Sequence, residues 1–314
     1  MSVLTVGETM ALLDPMGDGR PTGGTQFVLR VAGAESNFAI GLRRLGVDTA
    51  WVSRLGRDVL GDVVHATVAA EGVDVSRVAR DDAAPTGVFL KWRESGRSHV
   101  TYYRHGSAAS RLGPGDVPDE ALEGVALVHL TGITMALSRS AHELVADVAA
   151  RAARRGITVL FDPNWRPALW ADAAEAAAAH REVLPNVTWY LCGADEGRTL
   201  WGTESDEQTI EAVRGAGAAD AVVRVGARGA LVRADGALRE VPPPRVVEVR
   251  DEIGAGDAFA AGFAWGLLQG RGPAECAATG NVVAAAALAG TGDWETLPHL
   301  ADVADDLRAA TERS

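Results

Sequence analysis

The sequence predicts an α/β fold of three layers, a mostly parallel sheet between two layers of helices, with a small β-sheet lid. Three observations carry this expectation. Short apolar runs alternate with glycine turns and with longer Ala/Leu/Val patterns of helical spacing through most of the chain. The apolar runs are mostly continuous, as strands buried on both faces require. Two stretches, residues 11–31 and 86–104, break the alternation, and in the second, residues 87–92 and 99–104 flank Glu94–Gly96 as the arms of a hairpin flank its turn.

Core strands are expected at residues 3–7, 49–54, 125–130, 158–162, 188–191, 221–225 and 230–233. Helices are expected between them at 36–45, 59–71, 140–155 and 173–183, where apolar residues recur along one face. Gly46, Gly72 and Gly156 follow three of these helices at the position of a left-handed C-terminal cap. Residues 255–268 and 273–289 read as small-residue helices able to pack closely, with Pro273 where a missing N–H costs nothing. The two interruptions would form a four-stranded flap near the strand ends, where α/β proteins bind ligands. The expected organisation is one domain, residues 1–314, with lid segments at 11–31 and 86–104.

Hydrophobic residues make up 47% of the 314, enough for a large core. No apolar run has the length needed to cross a bilayer, so no membrane partner is expected. The first apolar run, residues 3–6, is ended by Gly7 and Glu8 and lacks a basic segment before it, so it reads as a strand rather than a targeting signal. Cys192 and Cys276 stand alone, which argues against a disulfide framework or a cysteine-built zinc site and fits the cytoplasm. A net charge of −12 opposes binding to nucleic acid, so an anionic substrate has to be met by particular residues. Lys91 is the only lysine among abundant arginines; the skew runs through the whole chain like a coding bias, and by itself it carries little weight.

The string Asp251-Glu252-Ile253-Gly254-Ala255-Gly256-Asp257-Ala258-Phe259 places glycines and a carboxylate at the mouth of an apolar helix. Two readings stand side by side. In one, Asp257 caps the helix and the glycines make a tight turn. In the other, Gly254, Ala255 and Gly256 let backbone N–H groups approach an anion at the positive helix end, while Asp257 takes a proton from an attacking alcohol. A second string, Ala32-Gly33-Ala34-Glu35-Ser36-Asn37-Phe38-Ala39, again sets glycine before a helix. Its Asn37 is either a surface residue of the first turn or a hydrogen-bond partner for a sugar hydroxyl.

Together and in this order, the two strings resemble the Gly-Gly-x-x-x-Asn-x-Ala and Asp-Thr-x-Gly-Ala-Gly-Asp motifs of the ribokinase-like, or PfkB, carbohydrate kinases, and the resemblance covers essentially the whole chain. It narrows towards 2-keto-3-deoxygluconate kinases through Leu45-Gly46, Tyr102-Tyr103-Arg104-His105-Gly106-Ser107-Ala108-Ala109-Ser110 and Asp162-Pro163-Asn164-Trp165-Arg166-Pro167. The resemblance implies a ribokinase-like fold and phosphoryl transfer from ATP, with Mg2+, to a hydroxyl of a small sugar acid. It implies Asp257 as the base, with Gly254, Ala255 and Gly256 as the anion site. Around the sugar it implies Gly33, Ala34, Asn37, Phe89, Tyr103, Arg104, Arg166 and Asp293. Against the nucleotide it implies Arg224, Gly226, Gly229 and Asn281, and towards magnesium Glu196. A substrate carboxylate also accounts independently for guanidinium groups in an acidic protein, although alone Arg104 and Arg166 read as ordinary salt-bridge residues.

The chain departs from the family pattern at four places. Glu252 stands where threonine is usual, Ala32 replaces the first glycine, Gly193 replaces the amide of an Asn-x-x-Glu motif, and Phe89 stands where a tyrosine can occur. A Walker-type kinase is excluded because Lys91 is not in a Gly-x-x-x-x-Gly-Lys loop. A nicotinamide dehydrogenase would need its glycine fingerprint after an early strand, and Gly17-Asp18-Gly19 does not supply it. A kinase for neutral fructose or ribose, and a non-catalytic sugar sensor, are the remaining rivals. A lid edge able to pair predicts a homo-oligomer joined through the lid.

Overall fold

The chain begins in the interior of its main sheet. The computed structural model, which describes residues 2–94, 97–244, 254–290 and 292–312, places β1 (Ser2–Val6) between two parallel neighbours, β4 (Asp48–Gly56) and β8 (Val125–Thr131). Beyond β4 lies β5 (Val78–Asp81). On the other side follow β9 (Thr158–Asp162), β10 (Trp189–Gly193) and β11 (Asp220–Arg224), all parallel, then β12 (Ala230–Ala234) and β13 (Ala237–Val241), which run antiparallel. The order β13-β12-β11-β10-β9-β8-β1-β4-β5 shows that winding reverses between β1 and β8. Such a reversal opens a crevice at the carboxyl ends of the strands.

Successive side chains leave a strand on opposite faces, and the two faces build two cores. Val3, Trp51, Leu127, Leu160, Leu191 and Val222 enter one core with α1 (Ala34–Arg44), α2 (Val59–Ala70), α8 (Ala255–Leu268), α9 (Pro273–Leu288) and α10 (Leu300–Glu312). Leu4, Val52, Val128, Val159, Tyr190 and Ala221 enter the other with α4 (Arg139–Arg154), α5 (Ala173–Val183) and α7 (Asp206–Gly215). Short α3 (Gly132–Met135) and α6 (Ala194–Trp201) follow directly on β8 and β10. Gly46, Gly72 and Gly156 stand just beyond α1, α2 and α4 with φ of 84°, 80° and 69°, the left-handed conformation expected of them. Within the first core α8 and α9 approach very closely, since a Cβ added at Gly262 would lie 2.6 Å from the Thr279 carbonyl oxygen.

The two interruptions form one separate sheet, β2 (Met10–Pro15), β3 (Phe27–Ala32), β6 (Val88–Glu94) and β7 (Arg97–Tyr103), in the order β3-β2-β6-β7. β6 and β7 are the expected hairpin; Ser95 and Gly96 of its turn lie outside the described residues. On its inner face Met10, Leu12, Ala32 and Phe89 make a small buried cluster. The lid is tied to the core through β3, where Trp294 Nε1 donates to the Val31 carbonyl at 2.9 Å and Arg30 pairs with Glu295 at 3.0 Å.

Candidate active site

A cavity of about 580 Å³ opens where the lid meets the ends of the core strands. Gly254, immediately before α8, has φ of 76°, a conformation open to glycine, and a Cβ there would overlap the Asp293 carbonyl oxygen. The mouth of α8 is thereby pressed against Asp293. Facing Gly256, the guanidinium carbon of Arg224 would lie 3.6 Å from an added Cβ, so helix mouth and cation form the two walls of a narrow cradle. The N–H groups of a first helical turn have no partner within the helix and carry partial positive charge, which makes this cradle suited to phosphate.

Asp257, in the first turn of α8, accepts a hydrogen bond from Asn37 Nδ2 at 2.8 Å. Burial pushes its carboxyl up to about 7; the Asn37 bond and Arg166 hold it down, whereas repulsion from Asp162 and Glu35 adds to the rise. A carboxyl poised there can take a proton near neutral pH. Arg224 reaches from the end of β11 to Asp162 at 2.7 Å and to Glu196 at 3.7 Å. Burial opposes its charge, but the attraction of Asp162 prevails and raises its pKa. Glu196 accepts from Trp165 N at 2.6 Å and from Gly193 N at 3.0 Å, and burial with Asp162 repulsion raises its pKa. Asn164, which donates its N–H to Asp162 at 2.9 Å, is held at φ of 38°, an uncommon conformation for a side-chain-bearing residue.

At the lid end of the cavity, Arg104 is 6% exposed and donates from Nε to Glu8 Oε2 at 2.7 Å. Its Nη1 is buried with no hydrogen-bond partner among the described residues. Arg166 is exposed at the rim and donates to the Trp165 carbonyl at 3.3 Å. Behind the cavity the buried carboxylate of Glu35 accepts from Thr131 and, at 2.6 Å, from Thr134, while burial raises its pKa.

Residues 1–300 match the family described as pfkB family carbohydrate kinase. The chain belongs to that family. It is 35% identical to the 2-dehydro-3-deoxygluconokinase of Bacillus subtilis (strain 168), over 98% of this chain and 96% of the relative. Against the 2-dehydro-3-deoxygluconokinase of Thermoproteus tenax the identity is 35%, over 98% of this chain and 95% of the relative. A solved structure, the PfkB protein from Polaromonas sp. JS666, is similar with a TM-score of 0.87 and 36% identity, covering 96% of this chain and 99% of that one.

In this pfkB kinase the cavity gathers Gly33, Ala34, Asn37, Phe89, Arg104, Arg166, Asp293, Arg224, Glu196, Gly254, Gly256 and Asp257. Ala255 lies between the two glycines as the first residue of α8. Tyr103 is a correction: strand alternation turns Tyr102 into the cavity beside Phe89 and leaves Tyr103 on the outer face, 66% exposed. Asn37 lines the cavity, and its amide nitrogen also holds Asp257. Gly226, Gly229 and Asn281 are not among the cavity's lining residues. Gly229 closes the β11–β12 turn, and a Cβ there would overlap the Val241 carbonyl, to which Asn281 donates at 2.7 Å. Asp251, Glu252 and Ile253 lie outside the described residues. Sequence reasoning passed over Tyr102, Lys91 and Asp162, which line the cavity, and Glu8, which holds Arg104; the period-two rule applied to 89, 91, 100 and 102 would have found the two on the lid.

Proposed function

We propose that this kinase transfers the γ-phosphoryl group of ATP to the terminal hydroxyl of 2-keto-3-deoxygluconate, the acid named 2-dehydro-3-deoxygluconate in its relatives, giving the 6-phosphate. The observation that carries the reading is that one cavity holds both an Asp257 carboxyl fixed by Asn37 at a helix mouth and the guanidinium groups of Arg104 and Arg166. A substrate with a hydroxyl at one end and a carboxylate at the other spans them. Asp257 accepts the hydroxyl proton as the oxygen attacks phosphorus and ADP leaves, while the N–H groups at Gly254, Ala255 and Gly256 and the Arg224 cation bind the developing charge.

The residues present fit magnesium-bound ATP. The cradle between Gly256 and Arg224 would fill if a side chain entered it, and Gly226, Gly229 and Asn281 flank the neighbouring strand turn as the nucleotide side. Among the described residues no group of three or more His, Cys, Asp or Glu could hold a metal, so magnesium would rest chiefly on the ATP phosphates with Glu196 beside it, the arrangement usual for this ion. Its contribution when bound is to neutralise phosphate charge. The lid, which supplies Phe89, Tyr102 and Arg104 at its end, excludes water from the reacting groups.

Among the described residues no helix is long and apolar enough to cross a membrane, and we place the kinase in the cytoplasm, as a homo-oligomer joined through the outer face of its lid. Steady-state kcat/KM on the sugar acid, fructose and ribose tests the substrate. The acid is expected to be preferred, and Arg166→Ala to lose about tenfold to a hundredfold on it, the worth of a hydrogen bond to a charged group, with KM for ATP unchanged. A wild-type preference for a neutral sugar, or equal losses on all three, defeats the acid reading; absence of ATP turnover with any sugar favours a sensor.

A further inference from the structure

Of the 30 lysine and arginine residues, Lys91 alone is lysine. Along the surface the two cations are interchangeable, and there the chain uses arginine throughout, as in the exposed pairs of Arg57 with Asp82 and Arg239 with Asp235. The single retained ammonium is not on that surface. Its side chain is 13% exposed, on the inner face of β6 two residues beyond Phe89, and it lines the catalytic cavity beside Val100 and Tyr102. Its Nζ lies 3.9 Å from Oδ1 of Asp293, the residue whose carbonyl packs on Gly254 at the mouth of α8. At that distance the charges attract, but the separation is longer than a hydrogen bond. A planar guanidinium is larger and presents its donors in a fixed fork, whereas an ammonium is a compact point charge with three donors. The other cavity cations, Arg104, Arg166 and Arg224, are all arginine, so the pocket does not favour lysine in general.

We propose that Lys91 is a substrate-binding residue that specifies the sugar, the lid-borne ammonium donating to one oxygen of the substrate while Asp293 accepts from a neighbouring hydroxyl, at a place where arginine cannot substitute. The proposal rests on the sugar-kinase reading and adds a lid contact to it. Lid closure then becomes coupled to the sugar, because the same ammonium that meets the substrate draws the lid towards the loop packed on Gly254.

The test combines two variants with one chemical measurement. Wild-type turnover of the sugar panel is measured first, so failure of the sugar-acid reading is seen there, and the variants are then assayed on whichever sugar the wild type prefers. Lys91→Met and Lys91→Arg are both expected to lose at least about tenfold in kcat/KM for that sugar, the effect of losing a charged hydrogen bond, with KM for ATP unchanged. The second measurement needs no variant and no turnover. Because the chain has one lysine, acetic anhydride labelling of the Lys91 peptide, followed by mass spectrometry, reports on one ammonium; saturating sugar without ATP should slow it severalfold, and a sugar the enzyme does not use should not. Wild-type kcat/KM in Lys91→Arg, less than a threefold loss in Lys91→Met, or labelling indifferent to the sugar overturns the proposal.

Discussion

With Asp257 proposed as the base, two opposing influences on one carboxyl should set the pH behaviour of the kinase. Burial lifts it to about 7, and the hydrogen bond from Asn37 keeps it from rising further. Catalysis needs the ionised form, so kcat/KM should be retained above pH 7 and fall as the pH drops through the acid limb near 7. Removing the Asn37 bond raises the folded-state pKa, so Asn37→Ala should move that limb to higher pH, and Asp257→Asn should abolish the limb and lower kcat by at least about a hundredfold. The profile of kcat/KM against pH for the three proteins checks this; an Asn37→Ala limb that stays in place, or moves down, refutes the assignment. Asp257, Asn37 and the two glycines, which line the cavity, could be singled out in the sequence because they stand on two short strings. The 2.8 Å bond joining residues 37 and 257 could not be read there, since it depends on α1 and α8 packing side by side in the first core. Glu8 was hidden for the same reason: ended against Gly7, it looked like a strand terminator, and only the fold brings Arg104 to it.

At the scale of the element, the mouth of α8 separates two glycines that a motif treats alike. Gly254 sits at φ of 76° against the Asp293 carbonyl, whereas a Cβ at Gly256 would make an ordinary contact with Arg224 at 3.6 Å. Gly254→Ala should therefore cost about 1–3 kcal/mol of stability through backbone strain and should also lower activity. Gly256→Ala should leave stability unchanged or raise it slightly, by up to about 1 kcal/mol for a helical glycine, and yet lower kcat/KM for ATP by narrowing the phosphate cradle. Urea denaturation with ATP kinetics on both variants separates the outcomes, and unchanged ATP kinetics in Gly256→Ala would show a helix turn and nothing more. The same division between local and non-local causes explains which elements were legible. The central strands were, because burial on both faces leaves a continuous apolar run. β5 and β13, Val-Ala-Arg-Asp and Ala-Leu-Arg-Glu-Val, were missed because they are sheet edges with partly solvated, polar side chains. Helices α6 and α7 were missed because charged caps and ion pairs such as Arg198 with Asp206 dilute their apolar spacing.

For the whole molecule the unresolved balance is on the lid, a four-stranded sheet that carries apolar residues on both faces. One face covers the cavity. On the other, Leu29 pairs across with Leu13 and Leu13 with Leu90, while the next row carries Val88 opposite Tyr103. Phe27 and Leu29 are each 39% exposed and Tyr103 66%. A sheet with one face solvated ordinarily alternates apolar with polar residues, and contiguous exposed apolar residues mark an interaction surface. A second copy of the chain is the proposed occupant, because it could also approach β3 and β7, the outer strands of this sheet, so the lid should join two subunits. Leu29→Arg combined with Tyr103→Arg places like charges on that face without touching the cavity, and is expected to convert a dimer to a monomer in sedimentation equilibrium. Because the lid carries Phe89, Lys91, Tyr102 and the approach to Arg104, loosening it should raise KM for the sugar more than KM for ATP. A wild-type monomer at micromolar concentration, or a double variant that remains dimeric, would remove the lid from the subunit contact and leave its outer apolar face without this explanation.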